Sequence, residues 1–153
     1  MTNVNKLPGQ GFLEALTAEE REVLQVLGET VSFESGETVI EEEGNQDFLY
    51  VLISGRCKVL QKRVAPAVTA WLEAGESFGE VNLFDLEEAG ASASVEAAEN
   101  ITAWRIDRNG LNEFMGSHPE ASLRLMISLA TLLSKRLRSM NELVKEMTVW
   151  TRS

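Results

Sequence analysis

Between Thr30 and Asp107 the chain consists of short runs rich in Val, Ile, Phe, Leu and Thr, separated by Gly36, Gly44, Gly55 and Gly75. Such runs are the length of strands, and glycine accepts the backbone angles that tight turns demand, so the pattern predicts successive antiparallel strands. An all-β barrel or roll of the jelly-roll class follows. Within it, Arg56, Lys58, Leu60 and Lys62 share one parity and Cys57, Val59 and Gln61 the other. Alternate residues of a strand point to opposite faces, so the charged parity is assigned to solvent. Cys57 is the only cysteine and cannot form an internal disulfide. Its place in an apolar strand, with no histidine near it in sequence, reads as a small buried packing residue.

The flanks change period. Thr17 with Glu20 forms a capping box, and Val23, Leu24, Val26 and Leu27 give a short amphipathic helix ended by Gly28. After the strands, Asp107 caps a short helix to about Met115, with Gly116 ending it. Ser117 and Glu120 make a second capping box around Pro119, and the helix they launch meets no breaker until the last few residues. In it Met126, Ala130, Leu133, Leu137, Met140, Val144 and Met147 recur at spacings of four and three, which is a heptad seam. Leu125, Leu129 and Leu132 form a second stripe, expected to pack on the barrel or the preceding helix. The far half of so long a helix would project beyond the barrel, so the seam is expected to join two copies as a homodimer. The organisation read from the sequence is a flexible tail over 1–11, a β-roll with short flanking helices over 12–118 and a long dimerisation helix over 119–150.

Composition limits the functions open to such a chain. With 153 residues, 44% of them hydrophobic, it has the apolar content for one domain with a core. A net charge of -10 argues against nucleic acid and anionic membranes as partners. No apolar run approaches a membrane span, and Met1 to Gln10 lacks the basic start and apolar centre of a signal peptide, so a cytoplasmic location is expected. Metal-dependent enzymes on β-rolls need several histidines, and the only one here is His118, expected at the surface outside the barrel. Glu41, Glu42 and Glu43 are adjacent, and on a strand they would point to alternate faces without converging on a cation. No arrangement of nucleophile, base and orienting group is visible. No catalytic residue and no metal ligand is assigned.

The segment from Phe78 to Ala97 reads FGEVNLFDLEEAGASASVEA. It resembles the phosphate-binding cassette of the cyclic nucleotide-binding domain family, in which an FGE tripeptide opens a short helix and an Arg-Ser/Thr-Ala triplet follows. Phe78-Gly79-Glu80 and Ser92-Ala93 match, and the arginine position holds Ala91. The fragments Phe33 to Glu37, Glu43-Gly44 and Leu49 to Gly55 also look like strand and turn sequences of that family, and the resemblance runs from about Phe12 to Val144. It implies a mainly β fold with flanking α-helices, a double-stranded β-helix (jelly-roll, cupin-like) barrel with a long C-terminal helix. It also implies ligand contacts from Phe78, Gly79, Glu80, Val81, Ala91, Ser92 and Ala93, and a cap over the base near Met140 and Asn141, where Asn141 could bond a base edge.

Physical chemistry decides what survives of that pocket. Gly79 allows close backbone approach, and amides at the start of the following helix favour an anion. Glu80 can accept from a ribose hydroxyl, while Ser92 and the Ala93 amide can donate to phosphate. Alanine at position 91 removes a planar, permanently charged, bidentate partner, a change of about 2 to 5 kcal/mol, or roughly thirtyfold to several thousandfold in affinity. No Lys or Arg occurs from Val64 to Trp104, where Glu73, Glu76, Glu80, Asp85, Glu87, Glu88, Glu96 and Glu99 add repulsion. The expectation is therefore a non-enzymatic regulatory or interaction module with a degenerate cassette, with no cofactor or only weakly held cAMP or cGMP, and with a second copy or another protein as partner. The alternative is a small-ligand sensor that still binds a cyclic nucleotide through Glu80, Ser92 and backbone amides. Transcription regulators of the family continue into a helix-turn-helix, which this sequence lacks. Lys135, Arg136, Arg138 and Lys145 read as a solvated helix face, so no nucleic-acid role is assigned.

Overall fold

The computed structural model describes residues 6–44, 47–61, 68–79 and 93–152. Eight strands are described: β1 (Glu29–Phe33), β2 (Thr38–Ile40), β3 (Phe48–Ser54), β4 (Cys57–Leu60), β5 (Val68–Leu72), β6 (Ser77–Phe78), β7 (Ser94–Ala97) and β8 (Ile101–Asp107). They form two four-stranded sheets, ordered β1-β8-β3-β6 and β2-β7-β4-β5, and every pairing is antiparallel. This is the jelly-roll architecture expected from the glycine-punctuated runs. Helix α1 (Ala18–Leu27) precedes the strands, and α2 (Arg108–Ser117) and α3 (Pro119–Arg152) follow them.

The apolar run of β3 has a direct cause: both of its faces are buried. Leu49 and Val51 point to the helices, where they join Trp104, Ile106, Leu13, Leu24, Phe114 and Leu125. Tyr50 and Leu52 point to the second sheet, where they meet Cys57, Phe78, Val95 and Ala103. Cys57 is fully buried, as its parity required, and burial pushes its thiol up to about 11, where a nucleophilic thiolate is not available at neutral pH. Lys58, of the opposite parity, is half-buried. Gly55 turns β3 into β4 at φ +89°, and a Cβ there would lie 2.6 Å from the Asn100 carbonyl oxygen.

The helices follow their caps. Thr17 and Glu20 form the expected capping box, and Gly28 ends α1. Asp107 accepts from the Gly110 amide at 2.8 Å and starts α2. That helix runs past Gly116, which remains helical because the Phe114 carbonyl is still taken, by the His118 amide at 2.8 Å. The second box expected at Ser117 is not the one observed. Ser117 ends α2 and donates to the Phe114 carbonyl, while His118 supplies the carbonyl that receives the Ser122 amide and opens α3. His118 is accordingly half-buried and stacks on Phe114, with ring centroids 5.3 Å apart, instead of standing at the surface. Within the segment read as a tail, Leu7 is buried in the helical core and its amide donates to Gln25 Oε1, so the chain is anchored at Leu7. No helix of the described residues is long and apolar enough to cross a membrane.

A clamp joins the two helical flanks. Arg124 of α3 donates to both carboxylate oxygens of Glu20, at 3.0 and 2.7 Å, and to the Ala15 carbonyl at 2.6 Å. Bonding from the Arg124 guanidinium, helped by the Thr17 amide, holds the Glu20 carboxyl down at about 2 from its ordinary 4.5. A depressed folded-state pKa contributes stability above the unfolded value and loses it as the pH falls through the folded one. Glu20→Gln should therefore lower stability at pH 7, and the difference from the unaltered protein should shrink as the pH falls from about 4.5 to about 2. Urea melts across that range measure it, and a gap that stays constant with pH would contradict the assignment. Gly55→Ala should cost about 1 to 3 kcal/mol, because it combines a positive φ with a clash against backbone, and chemical denaturation reads this directly.

Candidate functional site

Sheet register builds a transverse row that ends at the predicted cassette. Glu29 of β1 pairs with Arg105 of β8, Arg105 with Tyr50 of β3, and Tyr50 with Phe78 of β6. The Arg105 guanidinium binds Glu29 at 2.6 Å, lies 4.1 Å from the Phe48 ring centroid and approaches the Tyr50 hydroxyl at 3.4 Å. Tyr50 in turn stacks on Phe78, with centroids 4.9 Å apart and planes at 1°. Phe78 is thus fixed as part of the inner wall between the sheets. The next residue, Gly79, has φ +84°, a conformation that side chains with a Cβ rarely adopt, so the Phe-Gly pair makes the turn that the motif requires.

The other end of the segment is also anchored. Ala93 leads into β7, whose first residue, Ser94, is fully buried and accepts the Glu42 amide on its hydroxyl at 2.9 Å. The run Glu41, Glu42, Glu43 is here a turn and not a strand, because Glu43 takes φ +64° and the Gly44 amide returns to the Glu41 carbonyl at 3.0 Å. Among the described residues no group of three or more His, Cys, Asp or Glu gathers to hold a metal ion. Of the expected ligand contacts, the fold brings Phe78, Gly79 and Ala93 to the two anchored ends. Glu80, Val81, Ala91 and Ser92 lie outside the described residues. Asn141 is exposed on α3.

The basic cluster on α3 is not uniformly solvated. Lys135 and Arg138 are exposed, whereas Arg136 is half-buried and its Nη2 donates to the Ser77 carbonyl on β6 at 2.9 Å. The sequence carried a signal for this. Leu125, Leu129 and Leu132 follow the core face at spacings of four and three, and the next position on that face is Arg136. Beside that contact the Ser77 hydroxyl is buried with no hydrogen-bond partner among the described residues.

Leu125 and Leu129 are buried, and Leu132 packs beside them, as expected of that stripe. Met126 and Leu133, assigned to the seam, are half-buried and also pack against the helical core of their own chain. Ala130 and Leu137 are exposed, and the side chains of Met140, Val144 and Met147 fall outside the described residues. Leu123 and Ile127, passed over in the sequence, are 63% and 59% exposed and align with Ala130, Ser134 and Leu137 at spacings of four and three. Two apolar stripes therefore share Ala130 and Leu137, and the outward one is rotated away from the core.

The chain is similar to known proteins in these features. Residues 30–118 match the model of the cyclic nucleotide-binding domain. Glutaminase 1 of Bradyrhizobium diazoefficiens is 33% identical over 132 residues, 86% of this chain and 21% of that protein. The CRP-like cAMP-activated global transcriptional regulator of Mycobacterium tuberculosis is 31% identical over 115 residues, 72% of this chain and 48% of the regulator. This chain thus spans less than half the length of these two relatives. In structure, the catabolite activator protein of Thermus thermophilus superposes with a TM-score of 0.78 at 23% identity, covering 91% of this chain and 63% of its own. With the Phe78–Gly79 turn, the two antiparallel sheets and the match over residues 30–118 in hand, the chain belongs to the cyclic nucleotide-binding domain family.

Proposed function

We propose that this chain is a non-enzymatic regulatory module that works as a homodimer, and that its cassette, with Ala91 in the arginine position, holds a cyclic nucleotide poorly by its own residues. The observation that carries the dimer is the outward stripe of α3. Leu137 is 61% exposed, in line with Leu123 and Ile127, on a helix whose other side is already packed. A heptad-spaced apolar stripe that its own chain leaves in water is what a second helix covers. The small Ala130 and Ser134 in the middle let two helices approach closely. The module would then report its state to a partner polypeptide or to a further domain, as suits a segment that matches only 21% of its glutaminase relative.

A second reading is a sensor that still takes cAMP or cGMP through Glu80, Ser92 and backbone amides. One observation favours it over pure protein interaction: Arg136 delivers a permanent positive charge to β6, two residues before Gly79.

Structure and sequence together select the variants. Leu133 packs against its own core, so a charge there would damage the fold; Leu137 and Ile127 are exposed and test the interface alone. Leu137→Glu and Ile127→Glu should release monomers whose melting remains close to that of the unaltered domain. Light scattering that finds the unaltered protein monomeric at micromolar concentration would remove the dimer. For the cassette, Ala91→Arg should strengthen cyclic nucleotide binding by about 2 kcal/mol or more, and adding Glu87→Gln and Glu88→Gln should help further. Calorimetry in which Ala91→Arg gains nothing over the unaltered protein would show that the missing cation is not what limits the pocket.

A further inference from the structure

We infer that Asn141 sets the orientation and register of the α3 pair, by bonding to Asn141 of a second copy across two parallel helices. The inference rests on the homodimer reading above, and adds the geometry which that reading leaves open. Its first support is the continuation of the outward stripe. After Leu123, Ile127, Ala130, Ser134 and Leu137, the spacings of four and three lead next to Asn141, within the same unbroken helix. In heptad terms Leu123, Ala130, Leu137 and Val144 occupy position d, and Ile127, Ser134 and Asn141 position a. From Leu123 to Asn141 every residue of this stripe is exposed. A single asparagine at an a position costs stability and confers a unique alignment.

The second support is what a covered amide would face. Antiparallel helices set a against d, so any such alignment puts Asn141 opposite Leu123, Ala130, Leu137 or Val144, whose side chains carry no donor or acceptor. An amide buried without a partner is costly. Parallel helices in register set a against a, and two asparagine amides then meet donor to acceptor. A slip of one heptad would break that match and leave one Leu123 uncovered, because the residue seven before it, Gly116, precedes α3. The third support is charge. Arg124, Arg138 and Lys145 share position e, which antiparallel helices bring together as like charges. Parallel helices set e beside g instead, so that Arg138 lies next to Leu133 of the second copy, where its aliphatic stem covers apolar surface and its charge stays in water.

Cross-linking tests the geometry. In register, position 137 of one copy faces position 137 of the other, and no antiparallel alignment of this seam achieves that, since d would face a. Leu137→Cys should therefore form a disulfide-linked dimer with oxidised glutathione as the oxidant. The unaltered protein is the control, because its Cys57 is fully buried and its thiol is pushed up to about 11. Asn141→Leu in the Leu137→Cys background should associate about tenfold or more tightly, having lost a buried amide, while the yield of the position-137 disulfide falls by half or more. Light scattering on the unaltered protein comes first. A monomer would remove the homodimer reading and this inference with it. A dimer whose position 137 does not cross-link would leave the homodimer standing and overturn the parallel register. The inference is overturned as well if Asn141→Leu cross-links in full and associates no more tightly. The same result with cAMP or cGMP binding weakened would assign Asn141 to the base instead, the role the family resemblance implies.

Discussion

The burial of β3 on both faces organises everything else in this molecule. Because Leu49 and Val51 serve one core and Tyr50 and Leu52 the other, a single strand fixes the helical layer and the second sheet to each other. Its neighbour β8 does the same with Trp104 and Ile106 on the helical side and Ile101 and Ala103 on the other. Trp104 adds a polar tie, its indole Nε1 donating to the Gln25 carbonyl at 3.1 Å. On the opposite flank β3 pairs with β6, and the Tyr50–Phe78 stack sets the direction from which the chain enters Gly79. The Phe78–Gly79 end of the candidate site is thus positioned by a strand buried on both faces.

The long helix has two sides with different duties. One is committed to the core through Leu125 and Leu129, and is tied at its start by the Arg124–Glu20 pair. One presents Leu123, Ile127 and Leu137 to the outside. Further along the core side sits Arg136, whose guanidinium ends on a backbone carbonyl of the sheet edge. That bond ties the helix to β6, the strand that leads into Gly79. The same helix carries the outward stripe of Leu123, Ile127 and Leu137.

Much of this was legible in the residues. Strand periodicity and glycine spacing gave the β-roll, because alternation of buried side chains is a local property of each run. The capping box at Thr17 and Glu20 and the cap at Asp107 were legible for the same reason. Ser117 misled because its box competes with a carbonyl of the preceding helix, and the geometry favoured Phe114. The acidic run at Glu41 was mistaken for strand because nothing local announces the positive φ that Glu43 adopts.

By itself, the sequence determined the raw material of the strands, the FGE tripeptide, the alanine at position 91 and, on the long helix, a heptad seam beside the stripe of Leu125, Leu129 and Leu132. These depend on residue type and spacing alone. That Met126 and Leu133 of the seam also pack on their own domain was decided only in three dimensions, because their spacing serves a partner helix equally well. The meeting of Arg136 with Ser77 was likewise a tertiary outcome, since 59 residues separate them and only the packing of α3 against the sheet edge brings a positive charge to a region whose own sequence has no Lys or Arg.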